Sequence, residues 1–568
     1  MKICGLKFTH DGSIAVIENN TLLFSTEMEK INNNPRHQDL SNLDQVQEVL
    51  ASEGIQWQQI DQFAVDGWGD LNNSSDRLYK MWISQKGVNE QIELAAYGHL
   101  VNKQDLLGFH NFNCQQLSFS YNSYMHVSGH IFGAYCSSPF IQDKEDSFVL
   151  IWDGGMSPQL FYIRHDSAMV EPLRPIFNLN GNCYAAFAQQ YPPFDKTEKY
   201  DLAVAGKVMA YIALGKREEP IQQAFWNIYN ENRSALNLSL ALIRALVEWG
   251  KKEQVEAPVM IANFHYFLSD LLVSSLHQKI KQYPGYTPNI CFAGGCGLNI
   301  KWNSAIRNSG LFKRMWVPPF PNDAGSALGA ACCEMVRREG MVPLKWDVYC
   351  GPQFNAKGNM PGWRSMPCTA ATLAYYLHIT GEPVLVLHHR AEIGPRALGN
   401  RSIVASPSTP AAKDLLNNLK RREAYRPVAP ICIEEDAPRF FDPGTPDPYM
   451  LFDHAIRPEY LQQIPAVAHL DGSARLQTVN ERQNPLVYEL LREMKTLTGI
   501  PVLCNTSANL LGSGFFPDLE SAMQWGKVNM IWDGHQLHYR AGYEVYFRKE
   551  DAPVADKEIS KEYTIVKL

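Results

Sequence analysis

The chain has 568 residues, 45% hydrophobic and 20% charged. At the usual ~100 to 200 residues per domain that supplies more than one core, and it excludes a natively unfolded chain. The net charge of −7 opposes nonspecific attraction to a polyanion, so a nucleic-acid contact needs a local basic patch.

The N-terminal stretch puts Lys7, His10, Asp11 and Glu18 where a signal peptide needs apolar residues, and no run of about 18 apolar residues stands out. A cytoplasmic protein with no membrane partner is expected. The twelve Cys form no C-x-x-C pair, which leaves neither a zinc ribbon nor a redox motif and points to buried, reduced thiols.

In chain order, Lys2 to Phe8, Ser13 to Ile17 and Leu22 to Phe24 read as strands, with a polar His10-Asp11-Gly12-Ser13 turn between the first two. Phe148 to Trp152 is a short apolar run ending in Asp153-Gly154-Gly155, and Asn289 to Ala293 repeats the design before Gly294-Gly295. Ala324 to Arg338 suits a packed helix with Asn322 or Asp323 as its N-cap. Strand, glycine turn and helix repeated in this way indicate an α/β fold. Gly, Pro and Asn between Trp346 and Trp363 mark a linker, placed at residues 351–366 between domains of residues 1–350 and 367–568. Beyond it Pro383 to Leu387, Ala429 to Ile433 and Pro501 to Cys504 read as strands, Leu486 to Thr498 as a helix, and Lys557 to Leu568 as a tail or edge strand.

His126 and His130 are four apart, a spacing that on a helix puts both imidazoles on one face, able to share a metal ion. Asp153 and Asp323 are the strand-end carboxylates that would complete such a site, with a turn or N-cap role as the plainer reading. Gly154, Gly155, Gly294 and Gly295 lie in turns whose amides suit phosphate, alongside Asn299 and Lys207, although tight structural turns use the same residues. Arg396, Arg401, Lys420, Arg421, Arg422 and Arg426 concentrate six cations in a chain of negative net charge, which suggests a polyphosphate pocket. Asn505, Thr506 and Ser507 add amide and hydroxyl groups after a strand.

The ordered set from His-Asp-Gly-Ser at position 10 through His-x-x-x-His to Gly-Pro-Arg-Ala-Leu-Gly-Asn-Arg-Ser402 and Asn-Thr-Ser507 resembles the NodU/CmcH family of O-carbamoyltransferases over nearly the whole chain. The resemblance implies an N-terminal domain of the actin-like ATPase type and a C-terminal YrdC-like domain. It also implies a two-step reaction, in which carbamoyl phosphate and ATP give carbamoyl adenylate and the carbamoyl group then passes to a hydroxyl. By position, Arg396, Arg401, Ser402, Lys420, Arg422, Arg426, Arg475, Asn505, Thr506 and Ser507 would hold ATP and carbamoyl phosphate, with Lys420 and Arg426 acting catalytically. Gly154, Gly155, Lys207, Gly294, Gly295 and Asn299 would hold the adenylate. His126, His130, Asp153 and Asp323 match the ligands of an iron-type metal, Fe(II), with Mg(II) accompanying ATP, and His10 with Asp11 would assist proton removal from the acceptor.

The expected partner is a hydroxylated small molecule, or a hydroxymethylated nucleobase, and a homodimer is the assembly considered. Carbamoylation of a tRNA or protein, and a noncatalytic nucleotide-binding protein, are the competing readings. The first lacks the C-x-x-C pairs of a maturation module. The second does not account for retention of both His, both Asp and the cation set.

Overall fold

The computed structural model describes residues 1–69, 78–98, 105–198, 201–358 and 360–543. The first half of the chain builds two sheets. One runs in the order Thr21–Glu27, Ser13–Glu18, Lys2–Lys7, Gln62–Asp66, Phe119–Tyr124, Phe109–Cys114. Its three middle strands are parallel, so Lys7, Asp66 and the chain entering His126 all emerge from the same edge. The second has the order Met169–Pro175, Gln159–Arg164, Ser147–Ile151, Asn289–Ala293, Arg314–Trp316, again with parallel strands at Ser147–Ile151 and Asn289–Ala293. Both parallel strands are buried on both faces, as their unbroken apolar runs require.

Between the sheets the helix His126–Cys136, buried at all eleven positions, crosses the helix Ser326–Glu339. The crossing depends on glycine: a Cβ on Gly329 would sit 2.2 Å from the Gly129 carbonyl oxygen, so the two backbones approach as closely as only glycine permits. The expected side-chain N-cap on this second helix is absent, and a single 3₁₀ turn at Asp323–Gly325 precedes it instead. The Asp323 carboxylate is thereby free of capping and points toward the histidines.

The helix Ala257–Ile280 is long and apolar enough to cross a membrane, although polar residues interrupt its apolar run. In this fold 61% of its most apolar window is buried, and it forms part of a core with Phe187, Phe225 and Trp302. The cysteines are unpaired, ten buried and two half-buried.

An eight-stranded sheet organises the second half, in the order Trp363–Pro367, Gln536–Arg540, Met530–Trp532, Val384–Leu387, Arg401–Ala405, Val502–Ser507, Ala429–Ile433, Gln477–Val479. Its edge strand Trp363–Pro367 begins inside the stretch expected to be linker. The strand Val502–Ser507 carries Asn505, Thr506 and Ser507 within the sheet, where a loop after Cys504 was expected. Pro485–Thr498 is helical, with Asn484 capping it through Val487 N–H. The stretch Lys557 to Leu568 lies outside the described residues.

The halves meet through buried polar contacts. Lys30 Nζ donates to Glu27 Oε1 and to the Glu392 and Gly394 carbonyls at 2.7–2.8 Å, and Gly394 N–H returns to Glu27 Oε1 at 2.7 Å. Glu392 Oε1 then accepts from the Leu398 and Asn400 amides. This fixes the loop that carries Arg396.

Candidate active site

At the shared edge of the parallel strands, where α/β sheets bind ligands, one ligand atom from each of His126, His130, Asp153 and Asp323 lies within 4.8 Å of the others. The i, i+4 spacing brings the imidazoles together edge to face, with their Nε2 atoms 3.1 Å apart. His126 Nε2 is 3.4 Å from Asp323 Oδ1 and 3.9 Å from Asp153 Oδ2, and all four residues are buried. Two imidazole nitrogens and two carboxylates around one point form a donor set that fits a divalent transition metal.

Three residues the sequence did not single out complete the surroundings. Asp66 Oδ2 lies 2.8 Å from His126 Nδ1, which assigns the proton to Nδ1 and presents the Nε2 lone pair to the cluster. Lys7 Nζ bridges Asp66 and Asp323 at 3.1 Å each, beneath the face of Trp68. The Tyr97 hydroxyl donates to Asp153 Oδ2. Burial disfavours charge on His126, yet Asp66 and Asp323 outweigh it and hold its pKa well above the usual range. Asp323 is likewise buried, and Lys7 and His126 hold its carboxyl well below its usual range. A divalent cation would satisfy the same carboxylates that stabilise this proton. None of these three had a legible signal beyond a position at or just after a strand end, because their partners are 56 or more residues away.

His10 sits at the rim, with a third of its side chain exposed and Nε2 3.6 Å from Asp323 Oδ2. Trp68 stands edge-on to it, ring centres 5.0 Å apart. Asp11 stands between His10 and His37. Burial disfavours the Asp11 carboxylate, but the hydrogen bonds from the two imidazoles win and lower its pKa to about 2.

In the second of the two glycine turns the amides are occupied within the fold. Gly294 N–H donates to Pro321 O at 2.7 Å and Gly295 N–H to Asp153 Oδ1 at 2.6 Å, so these amides are spent on the fold and on aiming Asp153. Gly294 has φ +89°, and a Cβ there would lie 2.4 Å from Trp152 O, which only glycine accommodates. Gly154 is packed against the Asn182 side chain, and Asn182 N–H donates to its carbonyl. Gly155 follows it in the same turn. Asn299 caps the helix Ile300–Asn308, and Lys207 lies 3.9 Å from Asp201 Oδ2. Its helix neighbours Gly206 and Met209 line a pocket with Lys301, Arg422, Arg426 and Arg475, so the first half faces the second half's cations across this pocket.

Those cations divide into two groups. Arg401, expected to hold phosphate, is 1% exposed, and its guanidinium donates to the His388, Asn400, Pro352 and His389 carbonyls. A fork already satisfied by four carbonyls is a structural tie. Ser402 Oγ accepts from Gly399 N–H and closes the same turn, while Asn505 Nδ2 donates to Ala397 O and Gln477 Oε1. Thr506 is buried beside it. Lys420 Nζ donates to the Ser507 and Asn509 carbonyls at 2.8 and 3.0 Å, and Ser507 Oγ donates to Asn509 Oδ1.

The second group faces itself. Arg396 Nε, Arg422 Nη2 and Arg475 Nε are buried without a hydrogen-bond partner. Burial and neighbouring cations lower the pKa of Arg422 to about 9 and that of Arg475 to about 10, and push Arg396 and Lys420 well below their usual ranges. Arg36, on a first-half loop that sequence reading left aside, adds its charge to Arg396, Lys420 and Arg426. Buried donors under mutual repulsion are costly alone and favourable around an anion.

With this geometry established, comparison with known proteins places the chain. Residues 2–332 match the model of the carbamoyltransferase N-terminus and residues 377–531 that of the carbamoyltransferase C-terminus. The chain belongs to the carbamoyltransferase family, and it is an enzyme of that class. Nodulation protein U from Sinorhizobium fredii is 44% identical over 558 residues, covering 95% of this chain and 99% of that protein. The 3'-hydroxymethylcephem-O-carbamoyltransferase of Streptomyces clavuligerus is 31% identical over 542 residues, covering 93% and 97%. Among solved structures, the activator of 2-hydroxyisocaproyl-CoA dehydratase from Clostridium difficile with bound ADPNP matches at 15% identity and a TM-score of 0.33, covering 60% of this chain and 98% of that one. A likeness that low decides neither fold nor function.

Proposed function

We propose that this carbamoyltransferase is ATP-dependent and acts on a hydroxyl group, in two steps at two centres. The observation that carries the reading is the coexistence, in one chain, of a buried two-histidine, two-carboxylate cluster and a cation cluster with three unpartnered guanidinium nitrogens. The named activity of the cephem relative, an O-carbamoyltransferase, supports a hydroxyl acceptor. In this reading the first half is an actin-like ATPase domain and the second a YrdC-like domain.

At the cation cluster, water hydrolyses carbamoyl phosphate at phosphorus, releasing carbamate and inorganic phosphate. A carbamate oxygen attacks the α-phosphorus of ATP, pyrophosphate leaves, and carbamoyl adenylate forms. Arg396, Arg422, Arg426 and Arg475 neutralise the phosphates, and Mg(II) accompanies ATP. The adenylate crosses the pocket at Gly206 and Met209, shielded from water. The acceptor oxygen then attacks the carbamoyl carbon, AMP leaves, and His10 takes the hydroxyl proton. His126, His130, Asp153 and Asp323 would hold a divalent metal, Fe(II) in this reading, which when bound supplies an electrophile for the carbamoyl oxygen.

The deciding experiment incubates the protein with ATP and carbamoyl phosphate and no acceptor. Pyrophosphate release together with a carbamoyl adenylate mass is expected. Failure of both, with ATP bound, would overturn the reading. A second test concerns Asp66. Asp66→Asn is expected to weaken retention of the divalent metal ~10- to 100-fold, because the acceptor that orients the His126 ring loses its negative charge. Metal content measured against chelator concentration checks this, and unchanged retention would remove Asp66 from the site.

A further inference from the structure

We propose that His37 is a positioning residue for carbamoyl transfer: its imidazole fixes the Asp11 carboxylate, which in turn fixes His10 beside the four-ligand cluster. The inference rests on the reading that His10 takes the acceptor's proton.

The chain of contacts runs from His37 Nδ1 to Asp11 Oδ1 at 2.7 Å, from Asp11 Oδ2 to His10 Nδ1 at 3.4 Å, and from His10 Nε2 to Asp323 Oδ2 at 3.6 Å. One carboxylate thus spans two imidazoles, and its second oxygen turns His10 Nδ1 inward so that Nε2 faces the cluster, the same logic by which a buried carboxylate orients a catalytic histidine. Asp11 reaches this place with φ 56°, a left-handed conformation that is kept where the surroundings enforce it. The enforcement comes from the His37 loop, since Gly12 N–H donates to Gln38 O at 2.9 Å and Asp11 N–H to His37 O at 3.4 Å.

The position of His37 is itself fixed from two sides. Glu29 Oε2 accepts its backbone N–H at 3.1 Å. The second half of the chain grips the preceding residues: Arg36 N–H donates to Gly512 O at 2.8 Å, and Asn33 Nδ2 donates to Ser521 Oγ at 2.8 Å. Burial disfavours charge on His37, but the hydrogen bond and charge of Asp11 outweigh it and raise its pKa, which strengthens its hold on the carboxylate. Asp11, Glu29 and His37 also have the composition of a second metal site. Here, however, the imidazole and the Asp11 carboxylate are spent on each other and Glu29 on an amide.

The test uses the full chain. His37→Ala is expected to lower the kcat of transfer ~10- to 100-fold, with acceptor KM and pyrophosphate release within ~2-fold of wild type. His37→Asn, whose Nδ2 stands where Nδ1 stood, is expected to restore most of the rate, and His37→Gln to restore little. An unchanged kcat in His37→Ala, an equal loss of pyrophosphate release, or two tightly bound metal ions per chain would overturn the proposal. A wild-type protein that forms no carbamoylated product would overturn the functional reading instead. Crystal structures of wild type and His37→Ala then decide the positioning role: Asp11 turned away from His10 upholds it, and an unchanged Asp11–His10 pair overturns it.

Discussion

Replacing His130 with alanine is expected to lower carbamoyl transfer at least ~10³-fold while pyrophosphate release from ATP stays within ~2-fold of wild type. The separation follows from geometry. His130 Nε2 belongs to the cluster with His126 and Asp323, on a helix between the two sheets of the first half, whereas the cations that would hold ATP hang on loops of the second. Removing one imidazole leaves Asp153 and Asp323 with His126 and Lys7 as their principal cations, so metal content should fall in parallel with transfer. Product formation by mass spectrometry, pyrophosphate release and metal content on the same sample check the prediction, and His130→Asn provides a variant that preserves more of the buried volume. Equal loss of both half-reactions in a folded variant would contradict separate centres.

Arg475→Met should have opposite effects on chemistry and stability. Charge-assisted bonds to phosphate are worth ~1.5 to 3 kcal/mol each, so loss of a two-bond contact predicts a ~10²- to 10⁴-fold fall in pyrophosphate release. The fold gains at the same time. A base whose pKa is lowered in the folded state loses stability at every pH where it stays charged. The lowering of Arg475 to about 10 by burial and by Arg426 therefore destabilises the ligand-free fold at neutral pH, a cost relieved only as pH rises past that value. Methionine keeps most of the volume and removes that charge. Thermal unfolding is expected several degrees higher for Arg475→Met without ligand, and added pyrophosphate should stabilise the wild type more than the variant. A variant that is less stable without ligand, or fully active, would show that Arg475 is paired in solution.

Much of the scaffold was legible in sequence because it is local. Asn289–Ala293 and Ala429–Ile433 were bounded to the residue, since a short apolar run closed by Gly294-Gly295 in the one and by Glu434-Glu435 in the other leaves a buried strand few alternatives. Boundaries failed where tertiary contacts extend an element, as at Val502–Ser507, which continues because Asn505, Thr506 and Ser507 pair with Arg401–Ala405. The cation cluster was legible as a density of charge, but its membership was not. Arg396 and Arg401 are five residues apart in one motif, yet one leaves a buried nitrogen without a partner and the other is consumed by four backbone carbonyls. No spacing rule distinguishes them, because the difference lies in which carbonyls a distant turn delivers.

The sequence by itself determined the α/β architecture, the family, and the His126–His130 pair, since each rests on residues close in the chain or on an ordered set of motifs. The tertiary structure alone decided the rest of the site. It brought Asp153 and Asp323, which the family resemblance names, to the pair, and it set Asp66 to hold His126 in its tautomer. It also decided that Gly295 N–H serves Asp153 rather than a phosphate, and that Arg36 and His37 stand between the two centres. The physical reason is common to all of these: parallel strands from distant parts of the chain must end at one edge before their terminal side chains can share charge, protons or a metal, and that convergence is created by hydrogen-bond register and core packing across more than 100 residues.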